Sequence, residues 1–371
     1  MRKRNAKNER IKRQYLVFLE EAKQLSVTSA DQALAAILAF EESTGYKDFA
    51  QFHIEQARRF KRVLSDTVNA STGKPLAKAT IHSRLMAVKA FFQWLAPQQG
   101  YRRIKYPDAE YFNPSANDLR ASSAKRERPA PDLAQVHRAI DAMPCQTAIE
   151  KRDRAVMAFA LLSGARDDAL ASFRLKHVDL DQRTVFQDGR EVRTKFRKSF
   201  TTWFFPVGGN AEAIVREWIA YLRDECGFGV EDPLFPPSRV GQNADGLFAV
   251  QGLDRTPWSD AGPIRAIFKQ AFVAVDLPNF HPHSLRTTIA RLGLTLCTAE
   301  EQWSTWSLNL GHENVATTFK SYATVPTHRR AEIMRTIGTP ASPANLSQEE
   351  IALLERLVSD ARRGAAEPAG S

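Results

Sequence analysis

The stretch His281-Pro282-His283-Ser284-Leu285-Arg286 sets two histidines and an arginine within six positions of a chain that has only eight histidines. Three chemistries suit such a grouping: a metal site, a buried polar cluster, or a grip on a phosphate. His281 and His283 flank a proline and can be pictured as paired ligands, but no third ligand stands at suitable spacing and Arg286 would repel a cation. The phosphate reading draws in three further stretches: LLSGARDDAL with Arg166, VRTKFRKS with Lys195 and Lys198, and LGHENVATTFKSYATV with His312 and Tyr322. Taken singly, each has an ordinary explanation. The arginine serves in a surface ion pair, the hairpin lysine is solvated, and the histidine or tyrosine packs with its polar atoms hydrogen-bonded.

In this order and setting the four stretches resemble the tyrosine recombinases, the phage-type integrases, whose active site is the series Arg, Lys, His-x-x-Arg, Gly-His and Tyr. The resemblance covers about residues 130–335; the N-terminal helices and linker resemble the family's core-binding domain only in pattern and position. It implies that Arg166 is the first arginine, His283 and Arg286 the His-x-x-Arg pair, His312 the histidine after Leu-Gly, and Tyr322 the nucleophile. Two features depart from the family's habit. The acidic residue expected three positions after the first arginine is Ala169, with Asp167 and Asp168 just before it, which leaves open what orients Arg166. The ten residues from His312 to Tyr322 make a long interval, in which Tyr322 is the only tyrosine in range.

The residue types agree with that chemistry. Attack of a phenol oxygen on a phosphodiester builds charge on the nonbridging oxygens, where two planar guanidiniums, Arg166 and Arg286, can each give paired hydrogen bonds. Loss of either is expected to cost on the order of a hundredfold or more in rate. A phenol with an ordinary pKa near 10 must shed its proton as it attacks, and a neutral imidazole can take it; His283 is the choice for this base. The family position implies that His312 instead donates to the scissile phosphate, and the residue types alone do not separate the two roles. The leaving 5′-oxygen needs a proton from an ammonium on a β-hairpin, for which Lys195 is the first candidate and Lys198 the competitor. A phosphotyrosyl linkage conserves the energy of the bond it replaces, so no nucleotide cofactor or metal is expected. The resemblance further implies double-stranded DNA as partner, four protomers on two DNA sites, a Holliday junction between two strand exchanges, and room for an accessory DNA-bending protein.

The expected frame is mainly α with a small β-sheet: an all-helical core-binding domain over 1–112, a linker over 113–132, an α+β catalytic domain over 133–340, and a tail over 341–371 with a short amphipathic helix. Helical periodicity is clearest at 80–95, where Ile81, Leu85, Val88, Phe92 and Leu95 share one stripe and Thr80 is placed to cap. Lys78, His82 and Lys89 lie off that stripe as DNA-contact candidates, with ordinary solvation as the alternative. Further helices are expected at 30–44 and 48–64. The linker lacks periodicity and is rich in proline, serine and charge; its Lys125, Arg126 and Arg128 suit a phosphate backbone. Beyond it, helices over 150–163, 263–275, 284–296 and 315–322 surround β-type runs at 183–187 and 201–207, with Asp188-Gly189 as a turn signal. In the tail, Ser347 and Glu350 form a capping-box signature ahead of Ile351, Leu354, Val358 and Ala361 at helical spacing, a face that needs cover from the same chain or a neighbour.

Composition bounds the rest. The 371 residues, 43% hydrophobic, suffice for two globular domains, and a formal charge of +10 spread along the chain suits a polyanionic partner. Three widely spaced cysteines without a CxxC pairing argue against a disulfide framework and fit a reducing cytoplasm. The longest apolar run, at 155–162, is too short to cross a bilayer. Three other functions compete with recombination. A type IB topoisomerase-like enzyme would reseal the original strand; a binding protein that has lost catalysis would not need the full set of reactive residues; a metal-dependent transposase or nuclease would need a carboxylate cluster, and none is evident.

Overall fold

The computed structural model describes residues 5–70, 72–123, 129–242, 246–312 and 334–335. The chain divides into two compact units, Met1–Arg126 and Glu127–Ser371, each around its own hydrophobic core. The fold is mainly α with small antiparallel sheets, as expected. Among the described residues no helix is long and apolar enough to cross a membrane.

The first unit contains α1 (Ala6–Val17), α2 (Val27–Ser43), α3 (Ile54–Asp66), α4 (Lys78–Leu95) and α5 (Ala116–Ser123). The stripe on α4 is buried as its spacing requires, and Phe91 widens it. Phe92 stacks on Phe52 with centroids 4.1 Å apart and meets Phe40 edge-on at 5.1 Å, while Phe91 reaches Phe49 at 5.1 Å. Aromatic pairs in such geometries each contribute about 0.5–1.5 kcal/mol beyond the area they bury. Thr80 does not cap α4. The helix starts two residues earlier, and the extended Ala77 gives its carbonyl to the amides of Thr80 and Ile81.

Two other boundaries differ from expectation for local reasons. The helix expected over 48–64 is split: a 3-10 turn, Phe49–Gln51, is capped by Asp48, and Phe52 and His53 are extended before α3 begins. The stretch read as a linker contains α5, whose start is fixed by Ser115, the Oγ of which accepts from the Asp118 amide at 3.1 Å. Polar capping, which carries no hydrophobic period, makes this helix.

The second unit is organised on α7 (Ala148–Ser163), which follows α6 (Leu133–Asp141). Every α7 residue from Ala155 to Ser163 is buried, as befits a helix apolar on all sides, and it packs against three later helices. Thr147 and Glu150 cap its start reciprocally, and it ends on Gly164, whose φ of +59° favours glycine. After α8 (Asp167–Leu170) comes an antiparallel sheet in the order β1 (Val178–Asp179), β2 (Thr184–Gln187), β3 (Phe200–Trp203), with Val178 opposite Val185 and Phe186 opposite Thr201. The strand expected to run to 207 stops at Trp203, because Phe204 and Phe205 both turn into the core and alternation is lost.

Then follow α9 (Ala211–Ala220), a hairpin of β4 (Ser238–Gln242) and β5 (Phe248–Leu253), α10 (Gly262–Val273), α11 (Pro282–Leu296) and α12 (Glu300–Asn309). The hairpin and α12 were not foreseen. The exposure of Val240 and Phe248 removes the in-and-out alternation that marks a strand, and α12 carries few apolar residues and starts on backbone bonds to the Gln302 side chain. The helix expected at 315–322 and the tail helix lie outside the described residues.

Candidate active site

One guanidinium joins three chain segments. His281 sits at the N-cap of α11 and Pro282 at its first position, where a missing N–H costs nothing. The following turn leaves His283 exposed and directs Arg286 inward, where it is 2% exposed. Arg286 donates from Nη1 to the carbonyl of Gly164, and from Nη2 to the carbonyl of Leu310 at 2.6 Å and to His312 Nε2 at 3.0 Å. The end of α7 and the turn after α12 are thereby fastened to α11. A guanidinium has only donors, so Nε2 of His312 accepts and the ring's proton is assigned to Nδ1.

His312 is buried, and its pKa is lowered to about 3, first by desolvation and then by the positive charges of Arg286, Arg166, His283 and Lys198. Burial and the neighbouring charges, those of Arg286 and Arg166 foremost, therefore hold this imidazole neutral at physiological pH. Arg166, half-buried, stands at the N-cap of α8, two residues beyond the Gly164 carbonyl that Arg286 holds. The two adjacent carboxylates point elsewhere: Asp167 accepts from Arg265 Nε at 2.6 Å and Asp168 lies 3.9 Å from Arg193 Nε. Neither occupies the orienting role left open at Ala169.

The β2–β3 loop, residues 188–199, brings one of its two candidate lysines to this cluster. Lys198 is half-buried and acts on His312. Lys195 is exposed, its ammonium 4.9 Å from the Phe196 centroid. Three further residues, which residue-type reasoning did not single out, position the parts. Asn309 grips the β3 backbone at both atoms of Trp203, accepting from its amide at 2.7 Å and donating to its carbonyl at 2.8 Å. Thr202 Oγ1 donates to the Asn309 carbonyl at 3.1 Å, and Ser172 Oγ accepts from the Arg193 amide at 2.9 Å, anchoring the loop to the chain beyond α8. The only trace of Asn309 in the sequence is its place three residues before His312.

Thus Arg286 and His312 are joined directly, Arg166, His283 and Lys198 lie near enough to act on that imidazole, and Lys195 is exposed on the same loop as Lys198. Tyr322 lies outside the described residues, as do Lys125, Arg126 and Arg128. Lys78, His82 and Lys89 belong to the first unit, on α4; Lys78 pairs with Asp118 at 2.9 Å and Lys89 with Glu110 at 2.8 Å.

Known proteins resemble this chain in sequence and in fold. Residues 132–329, just over half of the chain, match the family described as the phage integrase family. A tyrosine recombinase XerC from Escherichia coli O1:K1 is 27% identical over 309 residues, covering 82% of this chain and 88% of that protein. Among solved structures, the fold resembles the XerH site-specific recombinase bound to a palindromic difH substrate (TM-score 0.57, 15% identity, 88% of this chain and 84% of that one). It also resembles a lambda integrase dimer bound to a COC′ core site (TM-score 0.53, 12% identity, 91% of this chain and 99% of that one). With Arg286 and His312 joined in the part of the chain that matches, the chain belongs to the phage integrase family, the tyrosine recombinases.

Proposed function

We propose that this protein is a site-specific DNA recombinase that cleaves and rejoins strands through a covalent 3′-phosphotyrosyl intermediate. The observation that carries the reading is the gathering of Arg166, His283, Lys198 and Arg286 around the neutral imidazole of His312, a cationic pocket suited to a phosphodiester. Tyr322 Oη attacks phosphorus, its proton passes to His283, and the bond to the 5′-oxygen breaks as Lys198 supplies a proton to that oxygen. Arg166 and Arg286 donate to the nonbridging oxygens, and His312, with Nε2 engaged by Arg286, donates through Nδ1. Lys198 is taken as the acid because it is half-buried and its charge acts on His312, with Lys195, exposed three residues earlier, as the alternative. A 5′-hydroxyl of another strand reverses the steps and releases Tyr322. Neither metal nor nucleotide cofactor enters this scheme.

The partner is double-stranded DNA, and four protomers on two sites would exchange one strand pair, pass through a Holliday junction and exchange the second. Three unbridged cysteines are in keeping with action in the cytoplasm. Nicked duplexes bearing the crossover site test the reading by accumulation of an SDS-resistant adduct. Tyr322→Phe is expected to abolish the adduct while DNA binding survives; an undiminished yield would refute the nucleophile. On DNA whose 5′-bridging oxygen is sulfur, a leaving group that needs no proton, Lys198→Ala is expected to recover cleavage. Recovery by Lys195→Ala instead would reverse the assignment of the acid.

A further inference from the structure

The loop that carries Lys198 also presents an aromatic ring to solvent. Phe196 is 79% exposed, and it and Arg197 are consecutive residues with φ of +62° and +51°, a region that side-chain-bearing residues seldom enter. The loop is pinned in this shape. Thr194 Oγ1 donates to the Lys198 carbonyl at 2.7 Å, the Arg197 amide donates to the Thr194 carbonyl at 3.1 Å, and Ser199 Oγ accepts from the Gly189 amide at 2.9 Å. Gly189 permits it, since a Cβ there would collide with the Arg197 carbonyl. The backbone thus turns the ring away from the core, and the neighbouring side chains are cations: Lys195, whose ammonium lies 4.9 Å from the ring centroid, Arg197 and Lys198.

An exposed ring set among cations is the surface on which nucleic acid bases stack. Phe196 is two residues from Lys198, so their Cα atoms are separated by at most about 7 Å, roughly two base steps of a duplex. We propose that Phe196 stacks on, or wedges beside, a DNA base adjoining the cleaved phosphate, with Lys195 and Arg197 on the flanking backbone. Phe196 is then a positioning residue: by unstacking one step it holds the scissile phosphate toward Lys198 and loosens the 5′ end that must move in strand exchange. This rests on the recombinase reading above and goes beyond it by assigning a base contact to Phe196 and a backbone contact to Lys195.

The experiment first maps the cleaved phosphate by trapping and sequencing wild-type adducts on DNA. Duplexes with 2-aminopurine at each position flanking that phosphate are then bound by the full-length Tyr322→Phe protein, which cannot cleave. Emission is expected to rise at one step beside the phosphate. Adding Phe196→Ala should remove the rise and weaken binding on the order of tenfold, while Phe196→Tyr restores both; the exposed position leaves the core untouched. Adducts that form while no position brightens, or brightening that persists in Phe196→Ala, would overturn this inference and leave the recombinase reading standing. Failure of the wild type to form any adduct would remove that reading and this one with it.

Discussion

Each unit buries a cluster of polar side chains, and the two are built on opposite electrostatic plans. In the first, Lys12 and Glu41, 3% and 0% exposed, meet at 2.6 Å. Asn8 completes the set, donating to Glu41 at 2.8 Å and accepting from the Phe49 amide at 3.0 Å. Each charge there has an opposite partner, and the cluster fastens α1 to α2. In the second, Arg286 satisfies two carbonyls and an imidazole, and the Arg166 guanidinium and the Lys198 ammonium also act on that imidazole. A balanced buried pair has nothing left to bind. Gathered positive charge costs free energy in the free protein and recovers it when an anion arrives, so charge balance, more than burial, separates the cluster that holds the fold from the one that meets substrate.

Breaking each cluster should therefore produce different losses. Arg286→Ala is expected to slow single-turnover adduct formation by on the order of a hundredfold or more, even at saturating DNA. Glu41→Gln removes the fully buried counter-ion of Lys12 and leaves it only the more exposed Glu9 at 2.8 Å, which should cost up to about 3–5 kcal/mol of stability by urea titration, with the cleavage rate of the folded protein preserved. If Glu41→Gln slowed chemistry as much as Arg286→Ala, with both proteins folded, the contrast between the clusters would fail.

A weaker effect follows from His312. Its folded-state pKa, lowered to about 3 by burial and then by the charges of Arg286, Arg166, His283 and Lys198, lies below the ordinary value near 6.5. Between those limits the unfolded chain binds a proton that the folded chain does not. The site's contribution to stability is thus intact above about pH 6.5 and declines as pH falls toward 3. Urea midpoints measured from pH 7 to pH 4 should fall less steeply for His312→Gln than for the wild type. Parallel curves would show that the fold does not lower the pKa of this imidazole.

What could be read from the residues divides along similar lines. The apolar stripe of α4 was legible because one period of spacing decides which face is buried, and the reactive types were legible because phosphate chemistry needs guanidinium, imidazole, amine and phenol. Illegible were the partners of Arg286: backbone carbonyls 122 and 24 residues away, which leave no mark on residue identity. The placing of Lys195 and Lys198 on their loop depends on consecutive left-handed residues at Phe196 and Arg197, positions where no glycine announces such a conformation. Asn309 acts by side-chain pairing with a strand backbone, and its local sequence is that of any polar helix end.

The smallest expected effect sharpens the comparison from the other side, on the surface of α4. The carboxyls of Asp118 and Glu110 are held below their ordinary range chiefly by hydrogen bonds from Lys78 and Lys89. Such pairs at the protein surface contribute little and exchange partners readily, so a DNA phosphate can take the place of either carboxylate. Lys78→Ala and Lys89→Ala should each reduce the slope of log affinity against log salt by about one, which binding titrations at several salt concentrations would measure. Because these lysines would contribute to encounter and not to the reacting phosphate, adduct formation at saturating DNA should be unchanged. An unaltered salt slope would remove α4 from the DNA contact, whereas a lowered saturated rate would mean that the ion pairs of the first unit serve the chemistry as well.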